Sequence, residues 1–168
     1  MPRRKYGTKV YNHYIDGTYV FVGLCFVFYQ ILSSVFSYFP LMLGFFFCYM
    51  FYLLQESEKS LYNLDFRWYF SLCYLLLIDI THDFYLFSSW FSFFIFYYFL
   101  ADWLKINFKI GKFLPIIFVF CAYFLLFSID NLLSYVDNNG IHLFGIELLI
   151  TVFMEFILAY IFFKDSIK

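Results

Sequence analysis

Charged residues are scarce in this chain: Asp, Glu, Lys and Arg make up only 14% of its 168 residues. Soluble globular domains carry about 25% charged and about 45–50% apolar residues. Here the apolar share is 64%, and the mean hydropathy is +0.79. So few polar groups could not cover the apolar surface of the chain in water. The composition therefore predicts a protein that resides in a lipid bilayer.

The sequence also lacks the short patterns that carry known chemistry. It contains no GxSxG, no HExxH and no glycine-rich phosphate loop. Its four cysteines are far apart, each lies in an apolar run, and none has the spacing of a metal or redox motif. These absences favour a protein that is not an enzyme and uses no metal or cofactor. The net charge of -1, with no basic stripe, also argues against a nucleic-acid partner.

Uncharged runs long enough for bilayer-spanning helices, which need about 20 residues, recur along the chain. The run from Gly17 to Gln55 has no formal charge and is long enough for two spans. Pro40 divides it, because proline cannot continue a helix without losing a hydrogen bond. The predicted fold class is all-α, a polytopic membrane protein with six transmembrane helices. Their predicted bounds are 18–38, 41–55, 66–81, 85–104, 113–129 and 141–163.

The basic residues fall on one side of this six-helix arrangement. All eleven Lys and Arg residues lie in or next to the N-terminal arm, loops 2–3 and 4–5, or the C-terminal tail. Cytoplasmic loops of membrane proteins carry an excess of Lys and Arg. The pattern therefore predicts both termini in the cytoplasm. Residues 1–17 would form a basic arm, residues 18–163 the transmembrane domain and residues 164–168 a tail.

Small residues are few, with seven Gly and three Ala against 29 Phe and 17 Tyr. The bias follows codon composition and is typical of AT-rich bacterial or organelle genomes. Because small residues let helices approach closely in membranes, their scarcity limits packing of the chain against itself. We expect the bulky faces of predicted helices 3, 4 and 6 to be completed by another membrane protein.

Two carboxylates and an imidazole interrupt the apolar sequence LLLIDITHDFYLF at positions 75–87. Asp79, His82 and Asp83 would share one helical face, because positions i, i+3 and i+4 are neighbours on a helix. One interpretation is a solvated turn at the outer membrane surface, and the other is a metal or proton site. The turn is favoured because Asp-x-x-His-Asp is a common pattern by chance.

Glu147, Thr151 and Glu155 recur every four residues on the sixth predicted helix and form one stripe. Glu155 lies near mid-depth of its span, where an unpaired charge is unfavourable by several kcal/mol. Such a group is protonated, paired across helices or directed into a polar cavity. Pairing inside the bundle is the favoured interpretation. A proton or transport pathway and a partner-binding polar face are the alternatives.

Two segments carry a family resemblance: LLQESEKS at 53–60 and LLLID at 75–79, which is followed by HDFYLFSSW and a basic stretch at 105–112. In this layout the chain resembles the rod-shape-determining protein MreD family over about residues 41–168. Members of that family are multi-pass proteins of the bacterial inner (plasma) membrane with five or six spans. Their third span ends in a Gly-Leu-Leu-x-Asp type motif, and Asp79 would be its acid.

The resemblance implies a non-enzymatic scaffold of the cell-elongation machinery, which synthesises peptidoglycan and sets cell shape. It implies that the partners are membrane lipids and an integral membrane protein of the MreC kind. That protein would connect the chain to RodA and a penicillin-binding transpeptidase. Asp79 to Asp83 would then form a turn that orients helices 3 and 4. Two alternatives stay open: a substrate-binding subunit of a vitamin-type importer, with Glu147 and Glu155 facing a ligand cavity, or an organelle-encoded accessory subunit of a respiratory complex.

Overall fold

The computed structural model describes residues 17–36, 38–60, 66–107, 113–138 and 145–164. Within these ranges the chain is all-helical, without a strand, which confirms the predicted fold class at this level. The elements are α1 (Gly17–Val35), α2 (Leu43–Ser60), α3 (Phe66–Thr81), α4 (Ser88–Ile95), a π-helix (Phe96–Ala101), α5 (Asp102–Asn107), α6 (Leu114–Val136) and α7 (Ile146–Phe163). Because residues 88–107 run without a break, these elements form six helical rods. Most of the predicted basic arm and tail lies outside the described residues.

The third rod has the predicted bounds, whereas the other five differ at their ends. Helix α1 stops at Val35 because the chain turns back before Pro40. Helix α2 continues through QESEKS to Ser60, since charged residues at a helix end can remain solvated. Helix α7 begins at Ile146, and residues 141–144 of its predicted range lie outside the described residues.

Among the described residues, two helices have the length and composition needed to cross a membrane. Leu114–Val136 and Ile146–Phe163 are long and apolar enough to cross a bilayer, and Val20–Val35 is a shorter apolar helix. A hydrocarbon core about 30 Å thick needs about 20 helical residues. Length and composition therefore support an association with membranes, without fixing the number of spans.

Helix α2 is the central rod and packs against α3, α6 and α7. It approaches α6 closely at Gly44, where a Cβ atom would lie only 2.5 Å from a methyl carbon of Val119. Further along the same contact, the Phe51 ring meets Phe118 edge to face at a centroid distance of 4.9 Å. Helix α1 packs mainly against α3 and is the most peripheral rod. Close packing between α2 and α6 is therefore made by a glycine and by aromatic rings that meet edge to face.

Candidate functional site

The Glu155 side chain on α7 is fully buried and meets the N-terminus of α2. Its Oε2 atom accepts hydrogen bonds from the backbone N–H of Gly44 at 2.8 Å and of Phe45 at 3.3 Å. The Tyr123 hydroxyl on α6 donates to Oε1 at 2.5 Å. The first N–H groups of a helix have no partner within that helix, and the positive end of the helix dipole favours an anion there. Glu155 thus caps α2 from another helix.

The reason α2 needs this cap lies in its own sequence and position. The residues before it, Pro40-Leu41-Met42, include none of the Ser, Thr, Asp or Asn side chains that cap helices locally. The Tyr29 hydroxyl, almost two turns before the end of α1, donates to the Pro40 carbonyl at 2.8 Å. The connection therefore folds back along α1, and α2 starts inside the bundle rather than at its rim. Met42 completes the turn with a left-handed φ of 62°.

The remaining members of the predicted glutamate stripe lie in different environments. Thr151 is buried, donates to the Leu148 carbonyl at 2.8 Å and lies beside the Tyr123 hydroxyl. Glu147 is exposed in the first turn of α7, where a carboxylate interacts favourably with the helix dipole. The spacing of the stripe is as predicted, but only Thr151 and Glu155 belong to one buried polar cluster.

Asp79, at the end of α3, has the same relation to α4 that Glu155 has to α2. It is fully buried, and its Oδ2 atom accepts from the Ser89 hydroxyl at 2.9 Å. Its Oδ1 atom accepts from the Ser88 hydroxyl and the Ser89 backbone N–H, both at 3.3 Å. The residue before α4 is Phe87, in a left-handed conformation and unable to cap with its side chain. The interpretation of Asp79 as part of a solvated turn is therefore wrong.

His82 and Asp83 do not join Asp79 in a common site. The His82 Nε2 atom lies 3.3 Å from the Ser33 hydroxyl of α1, and Asp83 is exposed. Burial lowers the pKa of His82, and the negative charge of Asp83 opposes that shift. The described part of the chain contains no group of three His, Cys, Asp or Glu side chains that could hold a metal. The metal interpretation of this segment is thus not supported by the geometry.

Asp130 is a third buried carboxylate. The predicted helix 113–129 left it in an outer loop, and that prediction is wrong. It lies within α6, is fully buried and accepts a hydrogen bond from the Tyr85 backbone N–H at 3.0 Å. The sequence contained a signal for the longer helix, because residues spaced by four positions along one helical face continue past position 129. Its members are all buried: Phe118, Ala122, Leu126, Asp130 and Ser134.

Sequence reasoning also missed a polar contact between α1 and α3. Gln30, buried on α1, accepts from the Tyr74 hydroxyl at 2.8 Å and donates to the Thr81 hydroxyl at 2.9 Å. Together with the contact between Ser33 and His82, these bonds hold the peripheral helix α1 to α3. Gln30 is one of two amide side chains in the 39-residue uncharged run, and a buried amide in such a run needs partners.

Each buried carboxylate in the described residues accepts at least one backbone N–H from outside its own helix, at Gly44 for Glu155, Tyr85 for Asp130 and Ser89 for Asp79. The arrangement can therefore fix where helices begin and how they lie against one another. A comparison of the chain with protein-family models, curated proteins and solved structures gives no match. The resemblance to the MreD family stays a prediction, and the function has to be argued from the geometry.

Proposed function

We propose that this protein is a multi-pass membrane protein of six spans, with both termini in the cytoplasm, and that it is a non-enzymatic scaffold for another membrane protein. The observation that carries this proposal is the polarity of the surface and the interior. Large apolar side chains point outward from the outer rods, with exposed fractions of 68% for Phe28, 76% for Phe99 and 62% for Phe153. The carboxylates of Asp79, Asp130 and Glu155 are fully buried.

This polarity is unfavourable in water and favourable in lipid. Lipid tails solvate an apolar exterior, whereas polar groups inside the bilayer must find partners within the protein. The three buried carboxylates and Gln30 have such partners. An apolar exterior with a hydrogen-bonded polar interior supports spans for the shorter rods as well as for α6 and α7.

The ends of the rods support the one-sided topology. Glu56 near the end of α2 pairs with Arg67 at the start of α3, at 3.3 Å. At the same end of the bundle, the ring of Phe113 before α6 stacks with Tyr160 near the end of α7. Among the described basic residues, Arg67 lies in the first turn of α3 and Lys164 directly follows α7, both at this end, which we assign to the cytoplasm. Asp79, near the end of α3, lies towards the opposite end of the bundle, and Glu155 lies in the middle of α7.

A scaffold is favoured over a transporter because the polar groups are used in packing. The importer alternative requires Glu147 and Glu155 to face a ligand cavity. A cavity of about 410 Å³ between α1, α2, α3 and α7 is lined by neither residue. We therefore assign the scaffold role that the MreD resemblance implies, in the cell-elongation machinery of a bacterial inner membrane. Its direct partner would be a single-span protein of the MreC kind.

Membrane topology is tested by cysteine labelling in intact cells. A cysteine introduced at Phe39 or Asn138 should react with an impermeant thiol reagent added from outside, and one at Ser57 should react only after the membrane is opened. The unsubstituted protein gives the background from the four native cysteines. Reversed labelling would rule out the proposed orientation.

The scaffold role is tested by purification in mild detergent with an N-terminal tag, followed by identification of co-purifying proteins. A single-span protein of the MreC kind should be recovered, and depletion of the tagged protein should turn rod-shaped cells into spheres. A monomer that brings no such partner and retains a small molecule would favour the transport alternative instead.

A further inference from the structure

The cavity beside α1 is a half-enclosed groove of about 410 Å³. It exists because α1 packs mainly against α3, which leaves a gap over the face of α2 towards α7. We propose that this groove binds one acyl chain of an anionic phospholipid, whose phosphate is held by Arg67. The groove is lined by Val22, Gly23, Phe26, Phe45, Phe46, Tyr49, Tyr52, Phe66, Arg67, Phe70, Phe162 and Phe163.

Most of the described lining residues are apolar or aromatic, as an acyl chain requires, and Arg67 is the charged one among them. Phe26, Phe70 and Phe162 contribute apolar ring faces from three different helices. In a bilayer, however, tails are as apolar as the lining, so contact with the groove alone provides little preference for a bound lipid over a bulk one. Selective binding therefore has to come from the headgroup.

Arg67 can supply that headgroup contact. It lines the groove at the end of the bundle that we assign to the cytoplasm, and 31% of its side chain is exposed. A guanidinium binds phosphate through paired hydrogen bonds, and the cytoplasmic leaflet carries anionic lipids. Glu56, whose carboxylate lies 3.3 Å from Arg67, is also exposed, and an exposed ion pair of this kind is weak enough to exchange for a phosphate.

The size of the groove favours a lipid chain over a helix of a partner protein. An α-helix with its side chains is about 10–12 Å across, so a cavity of about 410 Å³ would hold roughly one turn of it. A thin extended chain fills the same volume along a greater length. The proposal depends on the membrane location, which the cysteine labelling tests separately from lipid binding.

Native mass spectrometry of the purified protein, titrated with defined lipids, tests this site. Dioleoylphosphatidylglycerol and dioleoylphosphatidylcholine have the same chains and differ in headgroup charge. We expect half of the protein to retain phosphatidylglycerol at a concentration about tenfold lower than that needed for phosphatidylcholine, because one charge-assisted contact is gained. Equal retention of the two lipids would overturn the proposal.

Two pairs of variants separate the chain site from the headgroup site. Val22→Trp fills the groove and should abolish retention, whereas Val20→Trp, on the same helix with 48% exposure against 44%, lies off the lining and should not. Arg67→Gln should remove the preference for phosphatidylglycerol, whereas Glu56→Gln should keep or strengthen it. Thermal unfolding shows whether each variant is folded. If Val22→Trp does not fold, Arg67→Gln still tests the site. Retention unchanged in Arg67→Gln, or a protein chain found in the groove, would contradict the proposal.

Discussion

The carboxylate of Glu155 accepts a hydrogen bond at 2.8 Å from the backbone N–H of Gly44, which lies 111 positions earlier in the chain. This contact joins the middle of α7 to the first turn of α2. At the same point, Gly44 lets α2 approach Val119 of α6. One small residue thus allows both the helix contact and the cap, and a similar cap by Asp79 starts α4.

Substitution of Glu155 should separate the hydrogen bonds from the charge. Glu155→Gln keeps an acceptor for the α2 amides and should change the unfolding free energy by about 1 kcal/mol or less. Glu155→Leu should destabilise by about 1–3 kcal/mol for each amide left without a partner. Glu155→Lys should be more severe still, because it places a cation at the positive end of the α2 dipole.

Thermal unfolding in detergent measures these three variants, with Glu147→Gln on the exposed part of α7 as the matched control. The control should lose only the interaction of an exposed carboxylate with the helix dipole, about 0.3–1 kcal/mol. If Glu155→Gln proved as damaging as Glu155→Leu, the cap would depend on the negative charge rather than on hydrogen bonding. A functional loss in Glu155→Gln at normal stability and abundance would instead favour a proton pathway.

Gly44→Ala should destabilise the bundle, because the new Cβ would lie 2.5 Å from a Val119 methyl carbon and α2 would have to move. Overpacking of this kind typically has a penalty of about 1–3 kcal/mol. Val119→Ala in the same chain should restore part of that loss, and a double-mutant cycle of unfolding free energies measures the coupling. Gly17→Ala is the control, since nothing lies within 4 Å of its Cβ position. Additive effects of the two substitutions would show that the contact is not tight.

Asp79→Ala should destabilise α4 more than Asp79→Asn, because an amide oxygen can still accept from Ser89 whereas alanine cannot. The difference should be about 1–3 kcal/mol, the effect of leaving a buried donor unsatisfied. Asp83→Asn is the matched control, since Asp83 is exposed and Asn tolerates its left-handed φ of 56°. Unfolding and limited proteolysis of the segment between α3 and α4 report the result. Equal stability of Asp79→Ala and the control would exclude the cap.

Protonation of His82 should lower the stability of the protein as the pH falls. Burial lowers its pKa in the folded state below the ordinary value of 6.5, so the unfolded chain takes up the proton first. The contribution of His82 is therefore fully present above about pH 6.5 and is lost as pH falls towards the folded pKa. His82→Gln, which can still bond Ser33, should show a shallower decrease in unfolding temperature between about pH 7.5 and 5.5. Identical slopes would contradict this assignment.

Much of the helical layout could be predicted from local pattern. The bounds of α3 were predicted correctly because polar residues lie just outside them, with Asp65 before Phe66 and His82 after Thr81. The end of α6 was predicted too early because Asp130 was taken as a loop residue, although the four-residue spacing of its buried face continues to Ser134. The prediction assumed that a charged residue lies in water. A hydrogen-bond partner inside the bundle allows Asp130 to be buried instead.

The sequence by itself determined that the chain is helical, apolar and polarised, with basic residues at one end of successive helices and a carboxylate stripe on the last. These properties follow from composition and from spacing along a helix, which are local. Only the tertiary structure decided that Asp79, Asp130 and Glu155 hydrogen-bond to backbone N–H groups, that His82 points to Ser33, and that a groove lies beside α1. The physical reason is that a helix N-terminus without a local capping residue can be capped by any helix that brings a carboxylate to it, and which helix does so depends on how the rods pack.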